Sequence, residues 1–348
     1  MTERFPSVVK AKKIGKWIGT CSSDEEEVLQ KIIHNMKERN LDFEMVSADR
    51  IRQEEPLLAM QTVVNSKSTG IVDVSSLRDL YEQTVDANGG FVSCCQKVNQ
   101  IQFNPGEGGK GSMTVKVQDM SSTSGESDDL VVEKAVICAV GLHANTLWSN
   151  LLLNHVAVKQ PASHQLKFCK GRYATYQGKP LVHRLVYPCP QPKLVGLGVH
   201  SVVDMDGRVK FGPDTIYVDD ITDYRVGRNE KEEKEFLDSQ YTAIKRYIPS
   251  IERSRLQPDF SGIRPKLSGP GEAARDFVID EVLSANSAGD VTLSPLVGEA
   301  GSGRTDPRLV VLNGIESPGL TSSPAIGEHV ARCLVGEEAF AKNIPKWV

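Results

Sequence analysis

The sequence of 348 residues has neither a strong excess of charge of one sign nor a long apolar run. Its 41 Lys and Arg residues stand against 45 Asp and Glu residues, which leaves a formal net charge of −4. A chain with this balance gives no reason to expect nucleic acid as a partner. No apolar run approaches the roughly 18 residues that a membrane-spanning helix needs, so we expect no transmembrane segment. Peripheral contact with a membrane stays open.

The sequence also lacks the cysteine patterns of disulfide frameworks and metal sites. Its seven cysteines are odd in number and scattered, with no Cys-x-x-Cys pair and no His/Cys cluster at metal-ligand spacing. We therefore expect free thiols in a reducing compartment and no bound metal. The adjacent Cys94 and Cys95 are expected on a strand, where their side chains would face opposite sides.

The remaining composition is that of a globular protein. Apolar residues make up 39% of the chain and charged residues 25%. The length allows one large domain or two ordinary ones, with enough residues for a substantial core.

Apolar spacing predicts helices at three places in particular. One runs from the acidic turn at Asp24 to about Arg39, and a second covers residues 75–87 and ends at Gly89-Gly90. The third covers residues 229–247 and is stopped by Pro249. Short strands are expected elsewhere, and those nearest to these helices are 15–20, Phe91–Cys95, Val98–Phe103, Met113–Val117 and 276–282.

Residues 136–144 have the pattern of a nucleotide-binding edge. The continuous apolar run Val136–Val140 predicts a strand buried on both faces of a mostly parallel sheet. It stops at Gly141, and a helix is predicted to start near Ala144. Strand, glycine and helix in this order are how a doubly wound sheet approaches a nucleotide, although a single glycine does not identify such a site by itself.

The middle of the chain is predicted to be rich in antiparallel strands. Within it, Tyr187 and His200 stand on the two arms of a predicted hairpin. The predicted strands of this region are 163–176, 182–187, 194–203 and 208–218.

Residues 258–271 combine three glycines, three prolines and two cations in fourteen positions. This composition predicts a rigid, irregular turn. Arg264 precedes Pro265, so its side chain should project from extended backbone as a fixed bidentate group for a carboxylate. A surface loop whose Arg and Lys side chains are simply solvated is the alternative.

The last motif is a Gly/Ser/Pro turn after a buried strand, beginning at Asn313. A helix is predicted to begin near Thr321 to Ser323. The unbonded N–H groups of a helix start, preceded by flexible glycines, can bind an anion or a carbonyl oxygen. An ordinary N-capped C-terminal helix is the alternative.

Taken together, these motifs resemble the FAD-dependent oxidoreductases of the D-amino-acid oxidase superfamily. Within that superfamily the sequence is most similar to the L-2-hydroxyglutarate dehydrogenases, and the resemblance runs from about residue 13 to residue 337. Its residues are Ser-Thr-Gly-Ile-Val-Asp (68–73), Phe-Gly-Pro-Asp (211–214), Asp-Tyr-Arg (223–225), Gly-Ile-Arg-Pro-Lys-Leu-Ser-Gly-Pro (262–270) and Gly-Ile-Glu-Ser-Pro-Gly-Leu-Thr (314–321).

The resemblance implies an α/β (α+β) fold in which an incomplete Rossmann-type FAD domain is interleaved with an antiparallel-sheet substrate domain. Residues 1–60 and 150–255 would form the substrate domain, and residues 61–149 and 256–348 the remaining part of the FAD domain. The family begins with a strand–GxGxxG–helix unit followed by an acidic residue, and we expect this sequence to contain neither. The chain is therefore expected to be an N-terminally shortened member.

The resemblance also implies roles for single residues. Arg264 would bind the substrate carboxylate beside the flavin ring, Tyr187 would be a further donor to that carboxylate, and Lys266 would reach a second carboxylate or the polar edge of the flavin. His200 would accept the hydroxyl proton, unless it is a buried histidine bonded to the backbone. The residues expected at the cofactor are Gly141, Leu142, Gly314, Ile315, Glu316, Ser317, Gly319, Leu320 and Thr321.

The implied reaction is the oxidation of L-2-hydroxyglutarate, a 2-hydroxy acid, to 2-oxoglutarate by hydride transfer to FAD. The electrons would pass on to an acceptor, which family analogy gives as a quinone. One alternative is a non-catalytic or weakly FAD-binding remnant, and another is an amino-acid oxidase or glycerol-3-phosphate dehydrogenase. The resemblance implies a mitochondrial protein, with the cytoplasm as the alternative.

Overall fold

A computed structural model of the chain describes residues 8–104, 111–122, 125–190, 198–297 and 307–343. The helices in this part of the chain are α1 (Glu26–Glu38), α2 (Ala48–Glu54), α3 (Val74–Ala87), α4 (Ala144–Ser149), α5 (Glu230–Lys245), α6 (Gly319–Val335) and α7 (Glu337–Asn343). The strands are β1 (Ala11–Lys13), β2 (Lys16–Gly19), β3 (Phe43–Val46), β4 (Val63–Ser66), β5 (Gly70–Val72), β6 (Gln96–Asn104), β7 (Ser112–Asp119), β8 (Ser127–Val132), β9 (Ala135–Cys138), β10 (Leu151–Leu153), β11 (Val156–Ala157), β12 (Lys167–Tyr176), β13 (Leu185–Pro188), β14 (His200–Val203), β15 (Val209–Gly212), β16 (Ile216–Val218), β17 (Leu256–Lys266), β18 (Val278–Ala285), β19 (Val291–Pro295) and β20 (Arg308–Asn313). The predicted mixed α/β class is confirmed.

The chain divides into two compact units. The first unit comprises residues 1–91, 170–216 and 222–263, and the second comprises residues 92–169, 217–221 and 264–348. These bounds differ from the predicted domains, because residues 61–91 and 256–263 lie in the first unit and residues 150–169 and 217–221 lie in the second. The assignment of one domain to substrate and the other to FAD stays a prediction.

The first unit is built on a four-stranded sheet with the order β13-β2-β4-β3. Strand β2 pairs in parallel with β13 and antiparallel with β4, so Lys16 stands opposite Leu185 on one side and Ser66 on the other. Antiparallel pairs β14–β15 and β15–β12 follow, as predicted for the middle of the chain. The largest buried side chains of its main core are Trp17, Phe211, Phe236, Ile244, Tyr247 and Ile248.

The second unit contains two sheets, with the strand orders β11-β10-β6-β7-β8 and β19-β18-β20-β9. In the latter, β20 pairs in parallel with β9, whereas both β18 pairs are antiparallel. The prediction of a mostly parallel sheet was therefore wrong. A strand buried on both faces was also wrong, since Ile137 is 48% exposed. Strand β9 is the edge strand in the order of its sheet among the described residues.

The helix predictions hold, and side-chain N-caps explain the starts of α2, α3 and α5, whereas α1 and the 3-10 turn before it have no side-chain cap. The Ser47 side chain accepts a hydrogen bond from the Arg50 N–H at the start of α2. Asp73 caps α3 and Asn229 caps α5 in the same way. Helix α6 begins at Gly319, two residues before the predicted range, and it has no side-chain cap.

Two local predictions were wrong. Residues 91–95 form no strand, because Cys95 has a φ of 59° and β6 begins only at the next residue. Residues 256–266 are the regular strand β17, which pairs with β12, so the irregular turn predicted from residue 258 starts only after Lys266. Arg264 does project from extended backbone, as predicted. Of the predicted strand 194–203, residues 194–197 lie outside the described residues.

Two further features bear on the expectations from composition. The seven cysteines are all free thiols. Among the described residues, no helix is both long enough and apolar enough to cross a membrane.

Candidate active site

The predicted residues Lys266 and Glu316 form an ion pair in the second unit. The Nζ atom of Lys266 lies 2.5 Å from Oε1 of Glu316, and the two side chains are 19% and 15% exposed. Lys266 ends β17, whereas Glu316 lies in the turn between β20 and α6. The ion pair therefore links the predicted cationic segment to the predicted cofactor turn, and it neutralises most of the charge that Lys266 would offer to a substrate.

Arg264 lies two residues before Lys266 on β17, so both side chains project from the same face of the strand. Its Nε atom donates to the carbonyl oxygen of Cys169 at 3.4 Å. Burial raises the pKa of the Cys169 thiol, and the positive charges of Arg264 and Lys266 offset only part of that rise. Cys169 is therefore a neutral thiol at neutral pH, and the charged groups of this cluster that could bind an anion are Arg264 and Lys266.

The turn after β20 is held by a buried asparagine. The Asn313 side chain donates to the His164 carbonyl oxygen at 2.6 Å and accepts from the Gly314 N–H at 3.0 Å. Gly314 has a φ of 68°, and a Cβ at this position would lie 2.5 Å from Cδ1 of Leu267. Only glycine fits this backbone, which explains why the motif has glycine directly after the strand.

The start of α6 presents free backbone donors. The Gly319 N–H bonds to the Glu316 carbonyl oxygen, and the Ser322 N–H bonds to the Pro318 carbonyl oxygen. Within the described part of the chain, the N–H groups of Leu320 and Thr321 make no hydrogen bond. The predicted donor nest is thus present two residues earlier than expected, and the positive end of the helix dipole adds to it.

Gly141 and Leu142 follow β9 as the sequence predicted. Gly141 is exposed with a φ of 54°, and a Cβ there would meet nothing within 4 Å. A single 3-10 turn over Gly141–His143 leads directly into α4, which is anchored by the buried Trp148. The predicted order of strand, glycine and helix is present, with open space beside the glycine.

The predicted residues Tyr187 and His200 stack on each other in the first unit. Their ring centroids are 3.8 Å apart, and the ring planes differ by 18°. The Nδ1 atom of His200 lies 3.0 Å from the carbonyl oxygen of Gly198. Because a carbonyl oxygen only accepts, this contact assigns the proton of the neutral ring to Nδ1 and leaves Nε2 as the acceptor nitrogen. The structure therefore contains the backbone bond of the alternative interpretation, and the role of His200 as a base stays a prediction.

Tyr187 is a phenol, not a phenolate, over the whole physiological range. Burial raises the pKa of Tyr187 to about 12. The Nζ atom of Lys16 lies over the Tyr187 ring, 4.9 Å from its centre, and makes a cation–π contact with it. Burial also lowers the pKa of Lys16. Lys16 was not among the predicted site residues, because its proximity to Tyr187 arises from the pairing of β2 with β13, which are far apart in the chain.

His164 was also missed, and its role is to support the cofactor turn. Its Nε2 atom lies 3.0 Å from Oδ2 of Asp280, and its ring meets Trp148 edge-on with centroids 5.4 Å apart. Burial lowers the pKa of His164, although the Asp280 carboxylate opposes this. The side chain is 3% exposed, and its backbone oxygen is the one that holds Asn313.

The donors of the second unit fit a flavin. The two N–H groups at the start of α6 suit its carbonyl oxygens and any negative charge on the ring, and the space beside Gly141 admits close approach of a ligand. The expectation that the sequence contains no Gly-x-Gly-x-x-Gly string was wrong, because one occurs at 106–111; strand β7 follows it, whereas the unit of the family continues into a helix.

Comparison with known proteins gives one family and a consistent set of relatives. The family model described as FAD dependent oxidoreductase matches residues 11–333. The mitochondrial L-2-hydroxyglutarate dehydrogenase of Arabidopsis thaliana is 34% identical over 350 residues, covering 92% of this chain and 66% of that protein. The L-2-hydroxyglutarate dehydrogenase of Escherichia coli (strain K12) is 21% identical, covering 91% of this chain and 72% of that protein.

Solved structures show the same fold. L-α-glycerophosphate oxidase from Mycoplasma pneumoniae, with FAD bound, aligns with a TM-score of 0.67 at 20% identity, over 93% of this chain and 73% of that one. L-proline dehydrogenase from P. horikoshii aligns with a TM-score of 0.64 at 14% identity, over 99% of this chain and 76% of that one. The chain spans about two thirds of the length of the Arabidopsis relative, at 66%.

Proposed function

Because the chain belongs to the FAD-dependent oxidoreductase family, we propose that it is a dehydrogenase that oxidises L-2-hydroxyglutarate to 2-oxoglutarate. The observation that carries this proposal is the 34% identity to a plant L-2-hydroxyglutarate dehydrogenase over 92% of the chain. FAD is the cofactor that family membership assigns. The overall reaction removes a hydride from C2 and a proton from the hydroxyl group of the substrate.

The cofactor and the protein divide this chemistry between them. When bound, FAD supplies the acceptor for the hydride and its electron pair. The protein has to hold the carboxylate of the substrate, take the hydroxyl proton and exclude competing reactions.

Arg264 is the residue that we assign to the substrate carboxylate. The strand β17 and the fixed φ of Pro265 hold its backbone extended, so the direction in which the side chain leaves the strand is fixed. A planar guanidinium matches a carboxylate with two parallel N–H···O hydrogen bonds, which gives both strength and orientation.

Tyr187 and His200 are the residues that we assign to polar contact and proton transfer. With its pKa raised to about 12 by burial, Tyr187 keeps its proton and can donate to a carboxylate oxygen. The Nδ1 contact of His200 with the Gly198 carbonyl oxygen leaves Nε2 as the atom that would accept the hydroxyl proton. The stacking of the two rings limits the rotation of both side chains.

At the cofactor turn, the N–H groups of Leu320 and Thr321 are the donors that we assign to the flavin. The positive end of the α6 dipole favours negative charge there. Lys266, which is neutralised by Glu316, would fix this turn against β17 more than it would bind a second carboxylate.

We extend the proposal to the electron acceptor and the location. A quinone is the proposed acceptor of the electrons. The names of the plant relative and of the human relative, which is 22% identical, include the mitochondrion, and this supports a mitochondrial location. The bacterial relative keeps the cytoplasm as the alternative.

The direct test is to purify the chain and ask whether it binds and uses FAD. We expect a yellow protein, and a rise in melting temperature on addition of FAD, since a ligand at a hundred times its Kd stabilises by about 2.7 kcal/mol. Anaerobic L-2-hydroxyglutarate should then bleach the flavin absorbance, whereas the D enantiomer serves as the control. The absence of both flavin absorbance and a thermal shift would contradict the proposal.

A further inference from the structure

Lys16 is a half-buried cation beside a pair of stacked aromatic rings. It stands on β2 opposite Leu185 of β13, and its Nζ atom lies 4.9 Å from the centre of the Tyr187 ring. The residues Lys16 and Ile18 project from one face of β2, whereas the buried Trp17 projects from the other. The ammonium group is therefore held on the same face of the sheet as Tyr187 and cannot turn into the main core.

This ammonium group has no anionic partner among the described residues. The salt bridges of that part of the chain do not include it, and burial alone lowers the pKa of Lys16. A half-buried ammonium without a carboxylate loses hydration with no ionic compensation, and a cation–π contact recovers only about 0.5–2 kcal/mol. Such a cation is expected to be satisfied by a ligand anion.

We propose that Lys16 binds the distal carboxylate of a dicarboxylic 2-hydroxy acid and thereby selects dicarboxylates over monocarboxylates. The inference rests on the proposed function, in which Tyr187 donates to the carboxylate next to the reacting carbon. In a five-carbon diacid, four C–C bonds of about 1.5 Å separate the two carboxylate carbons by about 5 Å when extended. Lys16 and Tyr187 lie on the same face of the paired strands β2 and β13, with Nζ 4.9 Å from the ring centre, so both side chains are within reach of one diacid of this size.

Lys16 is a better candidate for the distal carboxylate than Lys266, the residue that was predicted from the sequence to reach a second carboxylate. Lys266 already has Glu316 at 2.5 Å, so a substrate carboxylate would have to displace an existing partner. Lys16 would gain an ionic contact without losing one. For this reason we assign the distal carboxylate, and with it the specificity for diacids, to Lys16.

The test compares binding of glutarate and valerate, a five-carbon diacid and a five-carbon monoacid, to the FAD-supplemented chain by isothermal titration calorimetry. We expect the wild-type chain to bind glutarate more tightly, and Lys16→Met to lose about 10- to 150-fold in glutarate affinity with valerate unchanged. Lys16→Arg should keep most of the preference. Lys13 is an exposed lysine on β1, the strand that precedes β2 in the sequence, so Lys13→Met is the matched control and should change neither affinity.

A second measurement needs no variant. Glutarate should protect Lys16 of the wild-type chain from acylation of its amine, as read by mass spectrometry, whereas valerate should not. Equal affinities for the two acids, a Lys16→Met chain that keeps the preference, or Lys16 acylation unaffected by glutarate would each overturn the inference.

The outcomes also separate this inference from the proposed function. If the chain oxidises no 2-hydroxy acid but binds glutarate through Lys16, the proposed dicarboxylate site is supported and the proposed activity is contradicted. If L-2-hydroxyglutarate is oxidised and Lys16→Met lowers kcat/KM for it no more than for 2-hydroxyvalerate, the proposed activity is supported and the proposed role of Lys16 is contradicted.

Discussion

The Nζ atom of Lys266 lies 2.5 Å from Oε1 of Glu316, and this ion pair joins segments that are 50 residues apart in the chain. Lys266 is the last residue of β17, and Glu316 lies in the turn that leads to α6. Both side chains are largely buried, at 19% and 15% exposure. A pair of this kind orders the turn, because each ion would be costly to leave without the other.

We predict that Glu316→Gln lowers the free energy of unfolding by about 1–3 kcal/mol, because it leaves the Lys266 ammonium partly buried without its anion. Denaturant unfolding of the purified variant measures this. The double variant Lys266→Met/Glu316→Leu should recover most of the loss, since it removes both charges. A double-mutant cycle with no coupling between the two positions would contradict the prediction.

Local patterns predicted those elements whose stability is local. The residues 75–87 and 229–247 were predicted as helices from their apolar spacing, and the structure has α3 and α5 within a residue or two of these bounds. Strand β17 was missed because Pro258, Gly262 and Pro265 mimic a turn, whereas pairing with the distant β12 keeps the segment extended. The opposite error at 91–95 has the same origin, since an apolar segment without a partner forms no strand.

The candidate site was predictable to the same extent. The positions of the two glycines, Gly141 after β9 and Gly314 after β20, could be predicted from the order of strand, glycine and helix in the sequence. The side-chain pairs could not, because Tyr187 with Lys16 and Lys266 with Glu316 depend on contacts between segments far apart in the chain. The spacing of residues in a sequence contains no information about such contacts.

Arg264→Ala should weaken substrate capture far more than FAD binding. Loss of one partner of a hydrogen-bonded charge pair costs about 2–5 kcal/mol, so kcat/KM for L-2-hydroxyglutarate should fall by about 30- to 5,000-fold. Steady-state kinetics and FAD titration measure the two effects separately. Arg264→Lys is the matched control and should recover only part of the activity, because an ammonium cannot form the bidentate contact. An unchanged kcat/KM in the alanine variant would rule out the carboxylate role.

Substitution by alanine should change the free energy of unfolding in opposite directions at Gly314, in the turn after β20, and at Gly327, inside α6. Gly314→Ala should lower the free energy of unfolding by about 1–3 kcal/mol, because its φ of 68° is strained for alanine and its Cβ would meet Leu267. Gly327→Ala should raise it by about 0.5–1 kcal/mol, since Gly327 lies inside α6 and a Cβ there meets nothing within 4 Å. Denaturant unfolding of both variants measures the difference, and equal effects would contradict the backbone argument for Gly314.

Asp223 makes the stability of the first unit dependent on pH. The hydrogen bond from Arg225, at 2.8 Å from Nε to Oδ1, holds the pKa of the Asp223 carboxyl well below its usual range. Lys170, whose Nζ atom lies 3.5 Å from Oδ2, acts in the same direction. A carboxyl whose folded pKa is depressed contributes stability above its unfolded pKa of about 3.9, and this contribution is lost as the pH falls through the folded pKa.

We therefore predict that Asp223→Asn destabilises the protein at pH 7 and that its deficit against wild type shrinks as the pH falls below about 3.9. Between pH 7 and pH 5 the deficit should stay constant, because the carboxyl is ionised in both the folded and the unfolded chain. Denaturation midpoints of the two proteins across this range measure the deficit. Asp128→Asn, on the exposed face of β8, is the control and should show no deficit at any pH. A deficit for Asp223→Asn that persists unchanged at low pH would mean that the amide fails for reasons of shape, not of charge.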